Sequence, residues 1–166
     1  MFKHDWSTFT LRVPIYAKPR KVYDAVTTQA GYEKWIHSQS EFFTPGGKKR
    51  QRTEEVKRGD RYEWRWHGYS QEYFETGNIL EANGRNRVRF TFAGKCEVSI
   101  FIKRERGVTI VELIQSEIPT DEKTKVRLYL GCSWGWEFYL TNMKSVLEGG
   151  LDLRNRDVNV KGVINA

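Results

Sequence analysis

Apolar and polar side chains alternate through most of residues 59–118, a period of two that predicts β-strands with one buried face. Short turn sequences divide this region, and the clearest of them is Asn83-Gly84. Strands joined by short turns pair antiparallel, so we predict a meander of consecutive hairpins. Two further strands are predicted before it, one from Phe9 to Ile15 and a shorter one from Ser40 to Thr44.

The turns set a register for this predicted sheet. A two-residue turn at Asn83-Gly84 would place Ile79 opposite Val88, and the same alignment would place Glu75 opposite Phe92. The other turns would place Trp64 opposite Glu75, Phe90 opposite Val98 and Ile100 opposite Leu113. All of them agree on one inner face, because residues opposite each other must share a face. That face is predicted to carry Tyr62, Trp64, Trp66, Tyr73, Glu75, Gly77, Ile79, Val88, Phe90, Phe92, Cys96, Val98, Ile100, Ile102, Val111, Leu113 and Gln115.

A long helix is predicted from about residue 125 to residue 148, because apolar side chains recur there three and four apart. Gly131 and Gly135 lie inside it on one face, where each costs about 1 kcal/mol relative to alanine. Close packing against a strand is the favoured reason for them, and a groove beside the helix is the alternative. The predicted apolar face comprises Val126, Tyr129, Leu130, Ser133, Trp136, Leu140, Met143 and Leu147, widened by Trp134, Phe138 and Val146.

Two short helices are predicted between the first strand and the rest. Pro19 suits the first turn of one helix, and Thr28 can cap the N-terminus of the other. The expected fold class is therefore α+β: a curved antiparallel sheet wrapped around a long C-terminal helix. We expect a single domain over residues 1–166, with residues 151–166 as a tail. The curvature would leave a small-molecule cavity between the helix and the sheet.

Composition supports a folded, soluble chain: 39% of residues are hydrophobic, 30% are charged and 14% are aromatic. No apolar run is long enough to span a membrane and no signal peptide is evident, so a cytoplasmic location is expected. Cys96 and Cys132 lack metal-ligand spacing and are expected to be free thiols. The net charge of +7 favours a solvated basic surface over a nucleic-acid or phospholipid site. Its densest cluster falls in residues 45–58, predicted to be a mobile, solvated loop.

The aromatic inner face is the candidate binding site. Its rings either line a pocket for an apolar ligand or fill the space themselves. Glu75 has two open interpretations. Either it lies near the cavity mouth or pairs with a tyrosine or tryptophan donor, or it is the polar handle of a ligand pocket, with Gln115 and Tyr73 as companions. In the second case burial would raise its pKa. His4, His37 and His67 form no catalytic or metal-binding cluster, so no catalytic residue, metal or cofactor is expected. The predicted cavity residues are Tyr62, Trp64, Trp66, Tyr73, Glu75, Phe90, Phe92, Gln115, Trp136 and Leu140.

Several short motifs give the chain a family resemblance. They are Ala17-Lys18-Pro19, Val22-Tyr23-Asp24-Ala25, Trp35, Gly59-Asp60, Gly77-Asn78-Ile79-Leu80-Glu81, Gly135-Trp136, Leu140, Lys144 and Leu147-Glu148. With the order of elements, they resemble the helix-grip fold of the START-like (SRPBCC) superfamily, and within it the bacterial relatives of the activator of the heat-shock-protein-90 ATPase. The basic loop at residues 45–58 and the tail depart from that pattern. The resemblance implies no agreed catalytic residues.

Three functions remain open at this point. The favoured one is non-catalytic binding of a small hydrophobic or aromatic ligand between sheet and helix. The second, implied by the resemblance, is a co-chaperone-like regulator that contacts a chaperone ATPase in a stress response. The third is a cyclase- or hydrolase-like enzyme, which needs at least two convergent titratable groups where the sequence offers mainly Glu75.

Overall fold

The computed structural model describes residues 4–160 and 162–164. Seven strands and two short helices precede a helical run that changes geometry along its length. The run begins as α3, becomes a π-helical segment and continues as α4. The elements are β1 (Phe9–Ile15), α1 (Pro19–Ala25), α2 (Gln29–Trp35), β2 (Gln39–Phe43), β3 (Arg61–Arg65), β4 (Glu75–Ala82), β5 (Arg87–Phe92), β6 (Cys96–Glu105), β7 (Val108–Ser116), α3 (Glu122–Thr124), the π-helical segment (Lys125–Leu130) and α4 (Gly131–Leu147).

The strands form one curved, unclosed antiparallel sheet in the order β1-β7-β6-β5-β4-β3-β2. Helix α4 packs on its inner face and also contacts β1 and α2. The predicted α+β helix-grip arrangement is therefore confirmed. The Thr28 cap is confirmed as well, because its hydroxyl accepts the Gly31 N–H at 2.9 Å. No helix in the described part of the chain is long and apolar enough to cross a membrane.

The predicted register is correct at the β3–β4, β5–β6 and β6–β7 pairs and wrong at the β4–β5 pair. Ile79 lies opposite Phe90 rather than Val88, and a bulge interrupts the ladder before Glu81. The cause is the turn: the Asn83 side chain accepts backbone N–H groups from residues 85, 86 and 87. These bonds widen the expected two-residue turn into a four-residue loop and shift the register.

The long helix is less regular than predicted. It begins earlier, with Asp121 as its N-cap, and residues 125–130 are π-helical. Two members of the predicted apolar face are exposed rather than buried: Val126 is 55% exposed and Trp134 is 66% exposed. Four members of that face are buried as expected, and they anchor α4 to the sheet: Trp136, Leu140, Met143 and Leu147.

Residues 45–58 do not form the uniformly solvated, mobile loop that the sequence suggested. Arg50 is buried, and its guanidinium donates to the carboxylate of the fully buried Asp60, with Nη2 2.9 Å from Oδ1. Asp60 also accepts the Lys57 N–H at 2.7 Å, and Val56 is buried in the core. The other residues of the loop are largely exposed. A buried ion pair therefore ties the middle of the basic loop to the start of β3.

The tail folds back onto α2. The guanidinium of Arg154 donates to three main-chain carbonyls at the C-terminal end of α2 and just beyond it, those of Glu33, Lys34 and His37. Arg154 also pairs with Asp152. A cation at a helix C-terminus satisfies carbonyls that the helix itself leaves unpaired. The first residues of the tail are therefore bound to the end of α2, although they lie beyond the last helix.

Candidate ligand-binding groove

A groove of about 760 Å³ lies between the C-terminal helical run and the strand ends around the β3–β4 loop and the β5–β6 turn, and one side of it is open to solvent. Three parts of the chain form its walls: the helical run, the β3–β4 loop (residues 66–74) and the β5–β6 turn (residues 93–95). The lining residues are Ile36, Trp66, Tyr69, Tyr73, Glu75, Phe92, Ala93, Gly94, Arg127, Leu128, Gly131, Cys132, Gly135, Trp136 and Tyr139.

The helical wall owes its shape to two glycines. A Cβ atom built on Gly131 or Gly135 would have no heavy atom within 4 Å. Close packing was the favoured explanation for these glycines, and it is wrong, because nothing packs against them. The alternative, a groove beside the helix, agrees with the structure. Side chains at these two positions would project into space that the groove now occupies.

Five of the ten predicted cavity residues line this groove. Trp66 and Tyr73 come from the β3 end and the β3–β4 loop, Glu75 begins β4, Phe92 ends β5, and Trp136 lies on α4. The rings of Phe92 and Trp136 are 5.2 Å apart and form part of the floor. Tyr73 is 57% exposed, so it belongs to the rim rather than to the core.

The other five, Tyr62, Trp64, Phe90, Gln115 and Leu140, lie in the core and do not line the groove. The reason is that the aromatic rings fill the inner space themselves. The Tyr62 and Trp64 rings stack with centroids 3.6 Å apart, and Phe90 meets Trp64 edge-on at 5.2 Å. Each of the two interpretations of the aromatic face thus applies to a different part of it. At the inner end the rings fill the space themselves, and at the outer end they line an open groove.

Glu75 faces the groove, as its predicted position on the inner face requires. Its Oε1 accepts the backbone N–H of Ala93 at 3.0 Å. Burial raises the pKa of Glu75, while backbone hydrogen bonds from Ala93 and Gly94 oppose that shift. Ala93 has a φ of 50°, unusual for a residue with a Cβ, and Gly94 has a φ of 88°. The β5–β6 turn thereby directs consecutive N–H groups at one carboxylate.

Gln115 has a different role from the one predicted. It is fully buried in β7, and its Oε1 accepts the indole N–H of Trp136 at 2.9 Å. The predicted grouping of Gln115 with Glu75 and Tyr73 in one site is therefore wrong, because only the latter two line the groove. The bond to Gln115 instead fixes the ring of Trp136, which does line it.

Most of the helical wall consists of residues that were not among the predicted cavity residues. Arg127, Leu128, Cys132 and Tyr139 line the groove, and burial raises the pKa of the Cys132 thiol. These positions, with Gly131, Gly135 and Trp136, recur in a four-residue spacing along the helical run. The four-residue spacing can be seen in the sequence, but the predicted apolar face of the helix was selected by three- and four-residue recurrence of apolar side chains.

Residues 16–148 match the family model described as "Activator of Hsp90 ATPase homolog 1-like protein". A search of curated proteins found no match.

Solved structures share the fold at low sequence identity. A protein from Staphylococcus saprophyticus is 19% identical with a TM-score of 0.69, over 89% of this chain and 96% of that one. The Aha1 dimer from Colwellia psychrerythraea is 20% identical with a TM-score of 0.65, over 86% and 97%. A Nitrosomonas europaea protein is 13% identical with a TM-score of 0.66, over 88% and 97%. At these identities the likeness establishes the fold alone.

Proposed function

We propose that this chain, which belongs to the family of Activator of Hsp90 ATPase homolog 1-like proteins, binds a small hydrophobic or aromatic ligand without catalysing a reaction on it. The observation that carries the proposal is the uncovered helix face at Gly131 and Gly135. It leaves a groove of about 760 Å³ beside aromatic side chains. Pockets for small organic ligands typically have volumes of about 300–1,000 Å³ and predominantly apolar linings.

The ligand would lie against a floor of fixed aromatic rings. Trp136 is held by Gln115, and Phe92 packs beside it. Rigid rings bind an apolar ligand with little loss of side-chain entropy, which favours affinity. Glu75 and the rim tyrosines then supply the few polar contacts that orient such a ligand.

The proposal includes no catalytic step. An acid–base or nucleophilic mechanism needs at least two groups that converge on one reacting atom. Glu75 is the one carboxylate among the described lining residues, and it already accepts main-chain hydrogen bonds. We also place the protein in the cytoplasm, where free thiols such as Cys96 and Cys132 stay reduced.

A titration with a neutral fluorescent arylamine, N-phenyl-1-naphthylamine, tests the proposal. The wild-type protein should enhance and saturate the probe fluorescence. Gly135→Leu should abolish that signal because its side chain enters the groove, whereas Glu137→Leu, an exposed position on the same helix outside the lining, should not. Equal binding by both variants would show that the probe lies elsewhere.

A second candidate function follows from the family description: regulation of a chaperone ATPase by surface contact. It makes a different prediction, because a surface contact does not need the groove. Stimulation of the ATPase by both wild-type protein and Gly135→Leu, in a purified mixture, would favour this candidate. Loss of stimulation in Gly135→Leu alone would connect the two functions.

A further inference from the structure

We infer that the ligand of this groove is an amphipathic organic acid, whose carboxylate is bound by Arg127 at the groove mouth while its apolar part lies on the aromatic floor. This inference rests on the proposed function and specifies the chemical class of the ligand. Three observations lead to it. Arg127 has no hydrogen-bond or ion-pair partner in the described ranges, the helical geometry places it at the groove, and Glu75 already accepts main-chain hydrogen bonds.

Arg127 lines the groove and is exposed, and its side chain makes no hydrogen bond or ion pair with any residue in the described ranges. The two buried arginines, Arg50 and Arg154, are by contrast matched by carboxylates. Burial is the main cause that raises the pKa of the Cys132 thiol; the charge of Glu75 raises it further, and the positive charge of Arg127 has a smaller effect in the opposite direction.

The π-helical segment explains how Arg127 comes to face the groove. Along the helical run the lining residues include 127, 131, 135 and 139, each four residues from the next. In a uniform α-helix a four-residue step overshoots one turn by about 40°, so three steps would rotate the first residue away by about 120°. A π-helix has a wider turn, and residues 125–130 adopt that geometry. The wider turn offsets part of the rotation and keeps Arg127 and Leu128 on the groove side.

Glu75 does not neutralise Arg127. Its carboxylate is engaged by the N–H groups of Ala93 and Gly94, and burial outweighs them in raising its pKa. Arg127 is the one cationic side chain among the described lining residues, and it forms no ion pair with the Glu75 carboxyl group. A carboxylate matches the planar guanidinium with two parallel hydrogen bonds, and an apolar body attached to it would cover Phe92 and Trp136.

A matched pair of probes tests this inference: 1-naphthaleneacetic acid and the neutral 2-(1-naphthyl)ethanol, each titrated calorimetrically into the intact chain at neutral pH. The acid should bind at least tenfold more tightly than the alcohol. Arg127→Gln should remove that preference by lowering the affinity for the acid to about that for the alcohol. Arg58→Gln, an exposed arginine outside the groove, should keep the preference, and Arg127→Lys should restore part of it.

The outcomes separate the two proposals. Equal affinities for acid and alcohol, or a preference that survives in Arg127→Gln, would overturn the inference while leaving the ligand-binding function in place. No binding of either probe up to its solubility limit would overturn the proposed function and the inference with it. A preference lost equally in Arg58→Gln would show that it reflects net charge, which also overturns the assignment to Arg127.

Discussion

Replacing Gly135 with alanine should stabilise the fold and at the same time narrow the groove. Gly135 lies within α4, and a Cβ atom at that position would contact no heavy atom within 4 Å. No clash therefore offsets the gain in helix propensity, which is about 1 kcal/mol for glycine to alanine in a helix interior. For a chain of 166 residues, that gain corresponds to a rise of about 2–4 °C in the melting temperature.

Urea unfolding followed by circular dichroism measures this effect. The midpoint should rise with an unchanged m-value, since the surface exposed on unfolding hardly changes. The matched control is Gly31→Ala in α2. There the new Cβ would lie 2.6 Å from the Ala25 Cα and closer still to the Asp24 carbonyl oxygen, so the same substitution should destabilise.

The reasoning fails if Gly135→Ala destabilises the protein. That result would mean that α4 is packed at Gly135 and that the groove is closed in solution. A stabilised variant whose affinity for the arylamine probe is unchanged would instead show that the probe does not approach this helix face. The expected pair of results is higher stability together with weaker probe binding.

Three further predictions concern the core and can be checked by the same unfolding assay. Trp136→Ala should cost about 3–5 kcal/mol, because it removes a buried ring, and a change within error would place Trp136 outside the core. Asp60→Ala should cost up to about 3–5 kcal/mol because it removes the buried carboxylate and leaves Arg50 paired only with the partly exposed Glu54; a loss below 1 kcal/mol would contradict the anchored loop. His37 is fully buried, and burial with the nearby Arg154 holds its pKa well below the ordinary value of 6.5. Because the unfolded chain then binds the extra proton, the free energy of unfolding should fall below about pH 6.5 by up to about 1.4 kcal/mol per pH unit. His37→Phe should remove that part of the pH dependence. Parallel stability-versus-pH curves for the wild-type protein and His37→Phe would refute the assignment to His37.

Most of the fold could be predicted because its signals are local. The alternation at β5, β6 and β7 and the short turns between them fix which residues share a face. The β4–β5 register failed because it depends on side-chain chemistry in one loop, where Asn83 accepts three backbone N–H groups. The preference of Asn-Gly for two-residue turns does not reveal that the Asn83 side chain can instead stabilise a four-residue loop.

The site was harder to predict than the fold. Periodicity indicates which face a residue occupies, so it placed Trp66, Glu75, Phe92 and Trp136 correctly on the inner side. Periodicity does not indicate how much of the inner face is filled by packed rings. The inner end of that face is closed because Tyr62 stacks on Trp64.

Two further features of the site were also beyond a pattern-based prediction. The π-helical segment depends on a choice between hydrogen-bonding patterns that apolar spacing does not encode, so Arg127 was missed. The ion pair between Arg50 and Asp60 was not predicted, because the charges along this part of the sequence indicate only a basic loop.

The indole N–H resonances in a ¹H–¹⁵N NMR spectrum test the central claim, that the groove holds an apolar ligand, most directly. Trp66 and Trp136 line the groove, whereas Trp134 is 66% exposed and does not line it. Titration with the neutral arylamine should shift the signals of Trp66 and Trp136 and leave Trp134 in place. Shifts confined to Trp134, or no shift at any tryptophan while the probe binds, would contradict the account.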